Sequence, residues 1–311
     1  MSSRERSHKQ LTKCIAFHSY KGGTGKTTLA CNAAAALAKK GCNVCLLDLD
    51  IYAPSLQIYF QKDPKRGIND YLDSNASIED IMLDVTDIFN SIRTVDVKNN
   101  NDKSSTASAN EELVDTGKLS IGFSSPKKKD VFNLEMAEID AKKDTIRRFM
   151  RLRESLISDY GADYIILDTS PGMRFWSINS LAIADTLILT LKGGELDIEG
   201  TKKVVDEIYS SFTKYGSKAF LLCNRIAGYC VPHSSSISPS PDTSHAIMQL
   251  QEEQMNDMHI IDRLSTELGI PTISSIPCFC DIQFLRREFM TVLKYPRHPF
   301  AEQIRQLIDK F

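Results

Sequence analysis

Between Phe17 and Cys31 the sequence reads FHSYKGGTGKTTLAC, which sets Lys21 and Lys26 in one glycine-rich loop. Gly22, Gly23 and Gly25 let successive backbone N–H groups converge on one anion. A helix starting at the end of the loop adds the favourable end of its dipole. Lys26 supplies a cation for terminal phosphates, and the Thr27 hydroxyl suits magnesium, with Thr24 and Thr28 completing the run. A general phosphate loop carries glycine five residues before Gly25, where this chain has Tyr20. One lysine neutralises a phosphate, so Lys21 needs a second task. Two other segments end in carboxylates. VCLLDLDIYAPS supplies Asp48 and Asp50, and YIILDTSPG supplies Asp168 before a Ser-Pro-Gly turn. An aspartate that closes an apolar strand is costly unless a cation or hydrogen-bond donors meet it, and capping of the following turn is the structural alternative. Asp197 reads as a helix N-cap.

These groups need elements that bring them together. Short apolar runs alternate with longer helical ones, which points to βαβ units and a parallel sheet. Strands are expected over Lys13–Ser19, Asn43–Leu49, Lys118–Ser124, Asp163–Thr169, Thr186–Lys192, Lys218–Asn224 and Pro271–Pro277. Most lack polar–apolar alternation, as strands covered on both faces do. Helices are expected near 26–40, 131–159, 196–215, 245–268, 282–290 and 299–310. The fold class is therefore α/β, a doubly wound, mostly parallel sheet in a single domain over 13–311, after a flexible 1–12. The polar stretch Val97–Glu112 reads as a disordered insertion, and the Ser/Pro-rich Cys230–His245 as a mobile loop.

The chain has 311 residues, a formal charge of −2 and 42% hydrophobic residues, which suits one substantial core rather than a nucleic-acid coat. No apolar stretch follows the charged start MSSRERSHKQLTKC, so no signal peptide is expected, and no window approaches ~18 uninterrupted apolar residues. A soluble, cytoplasmic protein is expected. Its eight cysteines then read as reduced thiols, with Cys14, Cys45 and Cys223 acting as small hydrophobes.

The run Lys-Gly-Gly-x-Gly-Lys-Thr-Thr resembles the deviant Walker A motif of the MinD/ParA group of P-loop ATPases. The likeness runs from about Lys13 to Phe311, apart from the two inserts. It implies a P-loop NTPase domain that binds ATP with Mg²⁺ and hydrolyses it to ADP and phosphate within a homodimer closed across the nucleotide. Lys26 would serve its own subunit's phosphates. Lys21 would reach the partner's nucleotide, as an arginine finger does in trans. Asp168 would fall on the Walker B aspartate that holds magnesium through water, Asp50 on the group that positions the attacking water, and Asp48 near the metal. FLLCNR places Asn224 on the adenine-reading asparagine, with Arg225 beside it. SSIPCFCDIQFLRREF resembles a segment lining the base pocket, which nominates Pro277.

The same resemblance implies slow turnover stimulated by a protein partner, timing the positioning or partitioning of a cargo. Arg286, Arg287, Lys294 and Arg297 leave non-specific DNA binding open. The chain closes on IRQLIDKF, so a stable membrane anchor is not expected. DLDIYAPS also resembles the switch of Mrp-type iron–sulfur carrier ATPases, with Ala53 in place of a glycine. Cys230, His233, Cys278 and Cys280 are the candidate metal ligands on that reading, although their spacing departs from the Mrp pair. A nucleotide-held adaptor with incidental hydrolysis is the third alternative.

Overall fold

The computed structural model describes residues 11–88, 117–125, 139–226, 261–283 and 290–311. Eight strands form its sheet: β1 (Lys13–His18), β2 (Val44–Leu49), β3 (Met82–Asp84), β4 (Leu119–Gly122), β5 (Tyr164–Thr169), β6 (Thr186–Leu191), β7 (Lys218–Ile226) and β8 (Thr272–Pro277). Their order is β3-β4-β2-β5-β1-β6-β7-β8, and only β3 runs antiparallel to its neighbour. The sheet grows in one direction from β1 through β5 and β2, and in the other through β6 and β7. β1 therefore stands where the winding reverses, the place where open α/β sheets bind ligands beyond their strand ends.

Both sheet faces are buried, which is why the strands show no polar alternation. β1 sends Cys14 and Ala16 into one apolar layer and Ile15 and Phe17 into the other. Likewise β5 divides Ile165 and Leu167 from Tyr164 and Ile166. The helices on the first face include α2 (Ile139–Ser158) with Phe149, Leu152 and Leu156, α3 (Phe175–Leu181) with Trp176 and Leu181, and α4 (Glu195–Val204) with Val204. On the second face lie the alanine-rich α1 (Lys26–Lys39) and α5 (Pro299–Ile308), which seats Ile304 and Leu307 against it. The Ala side chains of α1 cost little rotamer entropy and let the helix sit close against strands and α5. The long helix thus spends its apolar stripe on the core. Cys14, Cys45 and Cys223 are buried and form no disulfide.

Several expectations shift. β7 continues past Asn224 to Ile226. The helix expected over 196–215 starts at Glu195, and a π-helical turn, Val205–Tyr209, interrupts it before Ser210–Lys214. Met290 is not helical but precedes the short helix Thr291–Lys294, because its extended backbone (ψ 100°) serves as that helix's N-cap. Asp197 sits inside α4 rather than at its N-cap, which is Gly194; its carboxylate instead accepts the Lys192 N–H at 2.6 Å. The edge strand β3 and the short helices Leu56–Phe60, Ile68–Leu72 and Ile78–Ile81 had no counterpart in the sequence reading. The expected insertion at 97–112 and the loop at 230–245 lie outside the described residues, as do Cys230, His233, Arg286 and Arg287.

Tyr20 also finds its explanation here. A Cβ placed on Gly200 of α4 would lie 1.9 Å from the Tyr20 ring, so the bare backbone of Gly200 makes room for that ring. The tyrosine at the first-glycine position is seated by a glycine 180 residues away. Gly200→Ala should therefore lower stability by about 1–3 kcal/mol in urea unfolding, and Tyr20→Gly should recover most of the loss. Equal losses with and without the tyrosine would contradict this packing.

Candidate functional site

The phosphate loop leaves β1 and enters α1. Gly23 and Gly25 have positive φ (75° and 94°), conformations that strain any residue with a Cβ. At Gly25 a second constraint applies: a Cβ there would sit 2.3 Å from Asn224 Nδ2. Asn224 donates from that nitrogen to the Thr24 carbonyl at 2.7 Å, and Arg225 Nη1 donates to the Gly23 carbonyl at 3.4 Å. The end of β7 therefore braces the loop from one side. Arg225 holds a left-handed backbone (φ 58°), uncommon for a residue with a side chain and consistent with a chain forced back toward the loop. From β6, Thr190 braces it too, paired with Thr24 at 3.0 Å and donating to the His18 carbonyl at 2.9 Å.

Lys26 is buried and donates to Ser19 Oγ at 2.8 Å; Ser19 in turn donates to the Lys21 carbonyl. Burial pushes the Lys26 ammonium below its ordinary pKa, while Asp168, Asp50 and Asp197 pull it back up. Lys21, by contrast, is exposed. The two loop lysines thus occupy opposite environments.

Asp48 and Asp168 face one another in register across the paired strands β2 and β5, and both are fully buried. They are satisfied differently. Asp48 accepts the backbone N–H groups of Asp50 (3.1 Å), Ser55 and Leu56 (3.3 Å each), which holds the segment after β2 in a turn. The capping role is thus real for Asp48. Neither oxygen of Asp168 meets a donor in good hydrogen-bond geometry, although the Thr27 hydroxyl stands close enough to act on it. Burial pushes its pKa up to about 7, Asp50 adds to the rise, and the Thr27 hydroxyl and Lys26 oppose it. Asp48 is also raised well above the carboxylate range, by burial first and then by Asp168. Two adjacent buried carboxylates, one with orphaned oxygens, together with the Thr27 hydroxyl, are a hard oxygen donor set. The residues present fit a divalent cation such as Mg²⁺.

Asp50 Oδ1 accepts the Ala53 N–H at 3.1 Å, and the side chain lines a pocket of about 510 Å³ shared with Gly22, Gly23, Gly25, Lys26, Thr27 and Thr28. Tyr52, Ser55, Ile58, Tyr59, Pro171 and Arg174 complete that lining, together with Ala53 and Arg225. The first six are not among the sequence-based candidates, although each follows a strand-end aspartate, Asp50 or Asp168, by two to nine residues. Tyr59 OH pairs with Thr28 Oγ1 at 2.8 Å, and Ser55 Oγ with Thr27 Oγ1 at 3.4 Å, so the segment after β2 docks on the start of α1. Pro277 ends β8, paired with Ile226, and does not line this pocket. Among the described residues no group of three or more His, Cys, Asp or Glu side chains is arranged to hold a metal ion alone. Nor is any described helix long and apolar enough to cross a membrane.

Comparison with known proteins agrees with this geometry. The AAA domain family matches residues 12–218. The sporulation initiation inhibitor protein Soj of Bacillus subtilis is 26% identical over 200 residues, 64% of this chain and 65% of Soj. An iron–sulfur cluster carrier protein of Synechocystis is 54% identical, but over 46 residues, 15% of this chain and 13% of that protein. The chain thus spans less than two thirds of the length of these curated relatives. Among solved structures, the septum site-determining protein MinD of Pyrococcus horikoshii, complexed with Mg-ADP, superposes with a TM-score of 0.61 at 18% identity, covering 96% of each chain.

The raised pKa of Asp168 has a signed consequence. Its folded value of about 7 exceeds the unfolded 3.8, so the folded state binds the proton more tightly. In chelator, stability should therefore fall as pH rises from about 4 through about 7. Asp168→Asn removes this titration, so its urea midpoint should exceed that of the wild type at about pH 8 and match it more closely at about pH 5. A wild-type midpoint that climbs over the same interval as the variant's would contradict the assignment.

Proposed function

The chain belongs to the AAA domain family as a MinD/ParA-type P-loop protein, and from that premise we propose that it is a Mg²⁺-dependent ATPase acting as a dimerising switch. The observation that carries this reading is one pocket bounded by the glycine loop, Lys26 and Asp50, next to two buried carboxylates in register. Gly22 to Gly25 turn backbone N–H groups toward the phosphates, and Lys26 supplies their cation from a desolvated position where its charge is least screened. Thr27 and Asp168 hold the magnesium, with Asp48 fixing the adjoining turn. When bound, the ion neutralises charge on the terminal phosphates. Asp50 orients the attacking water. Lys21, exposed on the loop, acts on the nucleotide of a second copy. Asn224 donates its nitrogen to Thr24, which leaves its carboxamide oxygen for the amino group of adenine, with Arg225 on the pocket wall beside it.

Hydrolysis to ADP and phosphate would open the dimer and so time the positioning or partitioning of a cargo, with an activating protein partner accelerating the step. The MinD neighbour bound to Mg-ADP supports the nucleotide and metal. The local identity with the iron–sulfur carrier supports a second reading, a metal-cluster carrier using Cys230, His233, Cys278 and Cys280. Iron and sulfide in anaerobically purified protein at one cluster per dimer would favour it.

Three substitutions test the proposal. Lys26→Ala should abolish binding of a fluorescent ATP analogue. Lys21→Ala should retain binding yet lose turnover, by about 10³–10⁵ if it acts as a finger. Mixing it with Asp50→Ala, which retains Lys21, should restore activity in the one composite site that keeps Asp50 and receives the intact lysine. An unrecovered rate in a mixture shown to form mixed dimers would refute action across the interface.

A further inference from the structure

The segment that carries Asp50 is held at two points by residues that follow Asp168. At its start, the Leu49 carbonyl accepts two hydrogen bonds, from Ser170 Oγ at 3.1 Å and from Trp176 Nε1 at 3.0 Å. Further along, the guanidinium of Arg174 stacks over the Tyr52 ring at 4.3 Å from its centroid. Asp50 lies between those anchors, with its carboxylate closing a turn onto Ala53 N–H. Trp176 and the Leu49 carbonyl are buried, so that anchor is permanent. Arg174 is exposed and lines the mouth of the pocket, so its anchor can exchange.

We infer that Arg174 is a positioning residue: stacked on Tyr52, it latches the Asp50 turn to the turn that follows Asp168. The inference deepens the ATPase reading and rests on it for its consequence in turnover, but the latch itself is a property of the nucleotide-free chain. The physical basis is the attraction between a cation and the negative face of an aromatic ring, which needs no nucleotide. Arg174 follows Asp168 by six residues, so the stack ties the segment that carries the magnesium carboxylate to the segment that carries Asp50. Without the stack, the turn at 50–53 loses its tie to the segment after Asp168 at Tyr52 and keeps the buried tie at Leu49, the bond to Asp48 and its own Asx closure.

Two readouts separate this inference from the function it deepens. Hydrogen exchange of the peptide spanning 50–55, measured without nucleotide, should quicken by about 2- to 30-fold in Arg174→Ala and in Tyr52→Ala. Tyr52→Phe, which keeps a ring, and Arg174→Lys, which keeps a cation, should stay near the wild type. Exchange that is the same in all four variants and the wild type would overturn the latch. In parallel, ATP turnover by Arg174→Ala should fall by a similar factor while the dissociation constant for the ATP analogue holds, and Arg174→Lys should recover part of the rate. Faster exchange with unchanged turnover in an active protein would overturn the positioning role. A wild type without any hydrolysis would count against the ATPase reading and leave the exchange result to decide the latch.

Discussion

Two carboxylates buried side by side at the ends of neighbouring strands set the terms for everything around them. Asp48 and Asp168 share one register position of the β2–β5 pair, and neither reaches solvent. Both cannot be ionised there without a cation, because desolvation and mutual repulsion oppose the second charge. Lys26 is the nearby positive group, and it too is pulled toward neutrality by burial. The nucleotide-free site is thus held short of its full charge. A bound cation and polyphosphate would allow all these groups to ionise together.

The surrounding architecture serves to hold that arrangement without filling it. β1 sits between β5 and β6 at the reversal of winding, so the loop leaving it emerges beside Asp168 on one side and Thr190 on the other. Asn224 and Arg225 brace the loop from β7, and the short helix Leu56–Phe60 closes onto Thr28 from the β2 side. Gly25 is constrained twice, by its positive φ and by the nearness of Asn224. Tyr20, the departure from the usual loop pattern, is absorbed by the missing side chain of Gly200. The loop is preorganised by long-range contacts more than by its own sequence.

Much of this was legible in the sequence, and the limits have physical causes. The seven parallel strands announce themselves because burial on both faces forces continuous apolar runs, and their observed ends fall within two residues of the expected ones or less. The loop residues and strand-end aspartates are legible because a glycine run and carboxylates closing apolar strands are costly unless used. What stays hidden depends on partners far along the chain. Nothing near Tyr52 announces Arg174, and nothing near Gly200 announces Tyr20. β3 has three residues, too few for a period to show. The π-helical turn at 205–209 slips the hydrogen-bond register by one residue, a change the apolar spacing of a helix does not encode. Asp197 looked like a cap because it stands near a helix start; the choice of Gly194 follows from extended backbone there, which sequence does not reveal.

The protonation state of the buried pair is the most direct point of contact between this account and experiment. Carboxyl ¹³C resonances of the aspartates, followed by pH titration with and without Mg²⁺ and a non-hydrolysable ATP analogue, would report it. In chelator at least one aspartate of the pair should stay protonated up to about pH 7, Asp168→Asn should shift that titration, and nucleotide with magnesium should move it below about pH 5. Aspartates that are all ionised by about pH 5 in the metal-free protein would contradict it.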